Sequence, residues 1–178
     1  HRVVDDEFEE NLNRVIGLAP THVTAALEEL ENLKKQFKGI KIVGASDSAF
    51  HTSRTDFAKY YGIQKKDADS FDVKRFGYHG LSVASVVSKL QAAGKLAPKL
   101  VVVHLGGGAS VSAVLNGRSV DNTMGYSPIE GLIMSTRSGN IDPTAVFALK
   151  QILKLDDTGM HDYLNNRSGL LGICGSSD

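Results

Sequence analysis

Between residues 100 and 122 the chain offers the residue types that phosphoryl chemistry uses. An apolar run, Leu100 to Val103, leads through His104 and Leu105 into Gly106, Gly107 and Gly108, and a second apolar stretch, Ser110 to Leu115, follows at once. Glycines let the backbone turn sharply and present bare N–H groups, which is how a protein cradles a polyphosphate. The dinucleotide fingerprint needs a helix after its glycines and the Walker loop ends in Gly-Lys-Ser/Thr, so neither applies. What remains is a tight turn between strands or a strand-turn-strand phosphate clasp. Arg137 lies among hydroxyl side chains in Ser135-Thr-Arg-Ser-Gly139. Its planar fork suits the charge spread over a transferring phosphoryl group, although a lone loop arginine is more often a surface charge. His79 stands between glycines in Gly77-Tyr-His-Gly80, open to a ligand, with a helix entrance as its plainer use. Asp47 follows an apolar segment directly, at the kind of strand end where ligands sit in open α/β sheets; a helix cap is its plainer use. Arg2, with Val4 beside it, offers a carboxylate anchor and an apolar wall. The six histidines include no His-x-x-x-His pair and no Cys/His cluster, which argues against a zinc site.

Regular elements must hold these residues. The opening residues His1 to Val4 read as a strand. Val23, Leu27, Leu30, Leu33 and Phe37 recur at three- and four-residue steps, so the pattern predicts a helix over Thr21 to Phe37, capped by Thr21 and ended by Gly39. A short strand over Ile40 to Ala45 then delivers Asp47. The polar segment Arg54 to Arg75 reads as surface, and a lobe boundary is expected near residues 48–53. A second amphipathic helix, Leu81 to Ala93, turns Val83, Val86, Val87 and Leu90 inward. Three successive strands follow, over 100–105, 110–115 and 118–122, with Asn116-Gly117 a strong hairpin signal. Asp142-Pro143 starts a helix packed by Val146, Leu149, Ile152 and Leu153, and a last short helix spans Asp157 to Leu164. The mixture of strands and helices, with a hairpin inside, predicts α/β lobes around a mixed sheet.

Composition narrows the partners. Lysine plus arginine equals aspartate plus glutamate, 20 each, so nothing electrostatic points to nucleic acid or to an anionic membrane. No apolar run approaches the roughly 20 residues that span a bilayer. Cys174 is the only cysteine, which excludes internal disulfides and suits a reducing cytoplasm; it reads as buried and inert. The first residue is histidine and the last residues read as a loop, so the chain is expected to be part of a longer one.

The motifs taken together resemble the acetokinase family, within the sugar kinase, Hsp70 and actin superfamily. The resemblance is carried by His1-Arg-Val-Val4, Leu18-Ala-Pro20, Asp47-Ser-Ala-Phe-His51 and Gly77-Tyr-His-Gly80. It continues through His104-Leu-Gly-Gly-Gly-Ala-Ser110, Met124-Gly-Tyr-Ser-Pro-Ile-Glu-Gly131, Thr136-Arg-Ser-Gly-Asn-Ile-Asp-Pro143 and Ser168-Gly-Leu-Leu-Gly172, in family order along the whole chain.

The resemblance implies actin-like, ribonuclease H-like lobes, here incomplete, with residues 1–50 in the N-terminal lobe and 51–178 in the nucleotide-binding lobe. It implies reversible transfer of the ATP γ-phosphoryl group to acetate or another short carboxylate, giving ADP and an acyl phosphate. By the same resemblance Asp47, His79 and Arg137 are catalytic, and Arg2 holds the carboxylate. Val4, Thr21, Tyr78 and Pro128 line the acyl pocket, while His104, Leu105, Gly106, Gly107, Gly108 and Asp178 contact the nucleotide. Magnesium ligands are expected outside this chain, and a cytoplasmic homodimer is expected. The family pattern has asparagine at Gly107, leucine at Thr21 and phenylalanine at Tyr78, and a His-Gly-Gly segment where Asp5-Asp-Glu7 stands. The acyl pocket is therefore expected to be more polar, which keeps propionate or butyrate open as acceptors. A non-catalytic actin-like nucleotide-binding domain is the alternative from another class.

Overall fold

The structure, a computed structural model, describes residues 2–18 and 20–177, without the side chains of Leu18, Pro20 and Thr21. Asp178 and the side chain of Thr21 therefore lie outside the described residues. The chain opens with a two-stranded antiparallel sheet, β1 (Arg2–Val3) against β2 (Val43–Gly44), joined by a helical hairpin of α1 (Asp6–Arg14) and α2 (Pro20–Gln36). The sequence pattern did not announce α1. Its start is set by Asp5, whose Oδ1 accepts the Phe8 N–H at 2.8 Å, with Asp6, Glu7 and Glu9 in the first turn favoured by the helix dipole. Because α2 begins at Pro20, Thr21 sits inside the first turn rather than at the cap. The strand expected over Ile40 to Ala45 shrinks to β2, since β1 is only two residues long.

The centre of the fold is an antiparallel three-stranded sheet, β3 (Lys99–Leu105), β4 (Ala109–Leu115) and β5 (Arg118–Asn122). Leu105 pairs with Ala109, so Gly106 to Gly108 form the turn itself. Asn116 and Gly117, with φ of +48° and +77°, make the two-residue turn that the Asn-Gly signal predicts. Helix α5 (Gly80–Ala92) lies on β3, and Val83, Val87, Val102 and Val114 form the core beneath it. Val86, expected inward, is exposed because α5 meets the sheet along the Val83–Val87 stripe. A 3-10 turn, Ala49–Ser53, packs on α5 and β5 and so ties the segment after Asp47 to this sheet. A second core cluster joins Ala109, Met124 and Met134, with Tyr78 and Leu132 packed against it.

The segment expected on the surface carries two short helices, α3 (Asp56–Lys59) and α4 (Lys65–Ser70). It is anchored by a fully buried Ala68 and by Arg54, which is only 3% exposed. Helix α6 (Pro143–Ile152) starts as predicted, with Asp142 accepting the Thr144 N–H at 2.7 Å, but Ile152 and Leu153 are exposed rather than packed. Helix α7 (Asp157–Asn166) runs two residues beyond its predicted end. Helix α8 (Gly169–Cys174) was hidden by its flanking glycines. Cys174 at its end is exposed, contrary to the buried reading, and its thiol donates to the Leu170 carbonyl at 3.1 Å.

Candidate active site

The glycine turn between β3 and β4 faces two stacked imidazoles. The rings of His79 and His104 lie 3.9 Å apart at 21°. Each is anchored through Nδ1 to a serine, His79 to Ser110 Oγ on β4 at 2.9 Å and His104 to Ser82 Oγ on α5 at 3.0 Å. That anchoring turns both Nε2 atoms toward the turn. A Cβ on Gly108 would stand 3.2 Å from His79 Nε2, and one on Gly106 would stand 3.6 Å from His104 Nε2. The same Cβ on Gly108 would stand 3.2 Å from Arg137 Nη1. Residues from three distant stretches of sequence thus converge on one point. Leu105 belongs to the same strand end, but its side chain is exposed.

Arg137 arrives there on an irregular loop pinned by main-chain hydrogen bonds. Ser168, Leu170 and Leu171 donate their N–H groups to the carbonyls of Thr136, Met134 and Ser135 at 3.0, 2.9 and 2.9 Å, and Ser138 donates to Leu164 at 2.9 Å. Thr136 Oγ1 adds a bond to the Asn165 carbonyl at 2.7 Å. Gly169, at φ +62°, lies flat on the loop; a Cβ there would collide with the Met134 carbonyl and stand 2.8 Å from the Arg137 carbonyl. The guanidinium donates from Nη1 to the Pro128 carbonyl at 3.1 Å. Burial lowers its pKa below the ordinary arginine value, yet the group remains a cation, short of solvation and suited to an anion.

His79 is held by side chains instead. The carboxylate of Asp47 accepts the His79 N–H at 2.7 Å and the Leu81 N–H at 3.2 Å, and its carbonyl accepts the Gly80 N–H at 2.7 Å. Asp47 therefore closes the start of α5, the plainer of its two sequence readings, while fixing the backbone of His79. That backbone is left-handed, φ +60°, uncommon for a residue with a Cβ. Burial, then the neighbouring His104, holds the His79 imidazole below its usual pKa. His22 on α2 is lowered too, by burial and then by Arg137, and it also senses Asp47. This third imidazole near Arg137 was not singled out from the sequence, although it follows the Leu18-Ala-Pro20 motif by two residues.

The residues expected to line an acyl pocket divide. Tyr78 packs its ring on the Ala109, Met124 and Met134 cluster, and its hydroxyl donates to the Tyr126 carbonyl at 2.8 Å. Burial pushes its pKa up to about 12, so the hydroxyl keeps its proton and spends it on the protein. Pro128 touches Arg137 through its carbonyl, in a loop braced by Tyr61 donating to Glu130 and by Arg75 pairing with Glu130 at 3.0 Å. Arg2 and Val4 belong to the β1–β2 unit. Arg2 pairs with Glu7 at 2.6 Å and Asp5 at 3.7 Å, within the acidic segment that departs from the family pattern, and the Val4 N–H bonds to the Ile42 carbonyl at 3.0 Å. Among the described residues no group of three or more His, Cys, Asp or Glu side chains is arranged to hold a metal, and no helix is long and apolar enough to cross a membrane.

The model of the acetokinase family matches residues 1–178. Acetate kinase of Streptomyces griseus is 40% identical over 99% of this chain and 43% of its own length. Acetate kinase of Campylobacter lari is 39% identical over 100% of this chain and 46% of its own. Among solved structures, a propionate kinase from Francisella tularensis superposes with a TM-score of 0.91 at 33% identity, over 99% of this chain and 46% of that one. Acetate kinase of Porphyromonas gingivalis superposes at 0.85 and 32% identity, over 99% and 45%. The chain thus has the actin-like fold of these kinases and spans a little under half the length of the relatives it matches. With its motifs in order and its histidine, arginine and glycine turn on one point, this chain belongs to the acetokinase family.

Proposed function

We propose that the chain works in a reversible kinase that moves the ATP γ-phosphoryl group to acetate, yielding acetyl phosphate and ADP. The observation that carries this reading is the approach of Arg137 Nη1 and His79 Nε2 to one point on the Gly106–Gly108 turn. A carboxylate at neutral pH is already a nucleophile, so the reaction needs no general base. The barrier is the meeting of an anion with a polyanion. Arg137 supplies fixed positive charge where negative charge accumulates. His79 is neutral when Ser110 donates to its Nδ1, which leaves its Nε2–H to donate to a phosphoryl oxygen. His104, Leu105 and the glycine turn hold the nucleotide phosphates, with Asp178 bordering the nucleotide.

Asp47 acts by orientation. Its carboxylate oxygens already accept two N–H groups, which leaves it poorly placed to take up a proton or a metal. A magnesium ion brought by the nucleotide would neutralise its phosphates, and its protein ligands would come from outside the described residues. Arg2 receives the acyl carboxylate by exchanging Glu7 for substrate, and Val4, Thr21, Tyr78 and Pro128 bound the acyl group. We assign residues 1–50 to the N-terminal lobe and the remainder to the nucleotide-binding lobe, in a cytoplasmic homodimer.

Propionate is the second candidate acceptor, favoured by the superposition on the Francisella propionate kinase. The test is trapping of acyl phosphate by hydroxylamine, using the intact protein that carries this chain, with formate, acetate, propionate and butyrate in turn. Acyl hydroxamate that depends on ATP, with acetate giving the highest kcat/KM, is the expected result. A maximum at propionate moves the assignment to propionate kinase, and no hydroxamate with any acid refutes the reading.

A further inference from the structure

His51 is the most deeply buried of the described histidines, 1% exposed, and its ring bonds to Tyr78 and Ser119 rather than to the converging groups. Its Nε2 lies 2.9 Å from the Tyr78 carbonyl and its Nδ1 lies 2.8 Å from Ser119 Oγ. A carbonyl can only accept, so Nε2 carries the proton; burial holds the imidazole below its usual pKa and favours the neutral ring, in which Nδ1 accepts from the Ser119 hydroxyl. The imidazole is therefore neutral and held as a single tautomer. The carbonyl it grips belongs to the peptide immediately before His79. Asn122 grips the same residue from β5, accepting the Tyr78 N–H at 3.3 Å and offering Nδ2 to the Tyr78 carbonyl at 3.3 Å.

This segment needs such restraint. Gly77 and His79 both have positive φ, +73° and +60°, on either side of Tyr78, outside any strand; Gly77 donates to the Gly125 carbonyl at 3.3 Å, while the Tyr78 and His79 N–H groups rely on side chains. A Cβ on Gly77 would stand 3.1 Å from the His51 ring and 3.2 Å from Asn122, so these side chains also shape the turn by contact. The ring is fixed in turn by an edge contact with Phe50, centroids 5.7 Å apart at 84°, and the His51 backbone by Arg54, whose Nε donates to the His51 carbonyl at 3.1 Å.

We propose that His51 is a positioning residue for His79: its Nε2–H holds the Tyr78 carbonyl so that the next residue keeps its left-handed backbone and aims its imidazole at Gly108. The inference rests on the role given to His79 above. Asp47 fixes the N–H side of His79 and His51 fixes the peptide that precedes it.

The test is a double-mutant cycle on the intact protein. His51→Phe keeps the ring volume and removes the donor, and it lowers kcat about tenfold while leaving KM for nucleotide within about twofold. His51→Gln returns an N–H near the Nε2 position and recovers most of that loss. In a His79→Ala background His51→Phe causes no further loss of kcat. Full additivity in that background, or Gln no better than Phe at equal thermal stability, overturns the proposal. If His51→Phe does not fold, Ser119→Ala carries the same cycle, with a loss of about threefold that vanishes beside His79→Ala. If His79→Ala alone leaves kcat unchanged, the role assigned to His79 fails, and this proposal fails with it by a result distinct from additivity.

Discussion

Arg137 and His79 reach the same point on the glycine turn by opposite means of support. The Arg137 loop is sewn to the α7–α8 junction by main-chain hydrogen bonds, with Gly169 pressed against it. The His79 segment has main-chain bonds on either side, from Phe76 and Gly77 to the Gly125 carbonyl and from Gly80 to the Asp47 carbonyl. The N–H groups of Tyr78 and His79 themselves go to side chains, and the segment is gripped by Asp47, His51, Arg54 and Asn122. The first kind of support depends on the absence of a side chain. The second depends on polar groups that are buried and paired, each costly to leave without its partner. The two halves of the site should therefore fail in different ways.

The largest effect is expected at Gly169. Gly169→Ala forces a Cβ into the Met134 carbonyl at a positive φ, and about 2–4 kcal/mol of stability should be lost together with most of kcat. Gly175 is the control. It has φ +76° with nothing near its Cβ position, so Gly175→Ala should cost only about 1–2 kcal/mol and leave kcat unchanged. Chemical denaturation beside steady-state kinetics separates these outcomes, and equal losses at the two positions would deny that the Arg137 loop leans on Gly169.

Asp47 comes next. Asp47→Ala removes the cap of α5 and should cost about 1–2 kcal/mol and at least tenfold in kcat. Asp47→Asn keeps one oxygen that can accept and should retain much more activity. An asparagine variant as inactive as the alanine variant would instead support an obligatory carboxylate.

Acid should weaken the side-chain-held half first. His22, His51 and His79 are all held below the ordinary histidine value of 6.5, each chiefly by burial. The unfolded chain then binds more protons than the folded one just below that value. Stability is complete above about pH 6.5 and falls as pH drops toward the folded pKa values. His51→Gln should flatten this fall, as read from unfolding free energies measured across the range. Asp69, held down to about 2 by Lys65, loses its pairing only in a more acidic window, below the ordinary aspartate value of 3.8. A pH slope untouched by the substitution would mean that His51 does not titrate with unfolding.

The smallest effect is expected where neither kind of support reaches. Gly107 has nothing within 4 Å of its Cβ position, so Gly107→Asn should fold normally. It should add a donor toward the phosphates and lower KM for nucleotide about two- to fivefold at constant kcat. A loss of stability there would show that the turn is tighter than its geometry indicates.

The residues that the structure brings together at the glycine turn were legible from sequence because their types stand out in loops. Glycines after an apolar strand, an arginine among hydroxyls and a histidine between glycines carry their own warrant. Their supports were not legible. Ser82, Ser110, His51 and Asn122 act across |i−j| separations of 22, 31, 27 and 44 residues, and nothing in local spacing couples them to His104, His79 or Tyr78. The strands and their Asn-Gly turn followed the pattern closely. Helix α1 did not, since it is polar overall and stands by its Asp5 cap and its packing on α2. Helix α8 had no predicted element, since its glycines carry no helical signal, yet Gly169 is there to lie on the Arg137 backbone. The exposed carbons of Ile152 and Leu153 show that periodicity marks an apolar face without saying what covers it.

The central claim is that Arg137 stabilises the transferring phosphoryl group rather than merely anchoring a substrate. Its most direct test is the kinetics of Arg137→Ala in the intact protein, with acetate and ATP varied independently. We predict a fall in kcat of about 10²- to 10³-fold with KM for ATP changed by less than about threefold. A variant that keeps its kcat and loses only affinity would contradict the account.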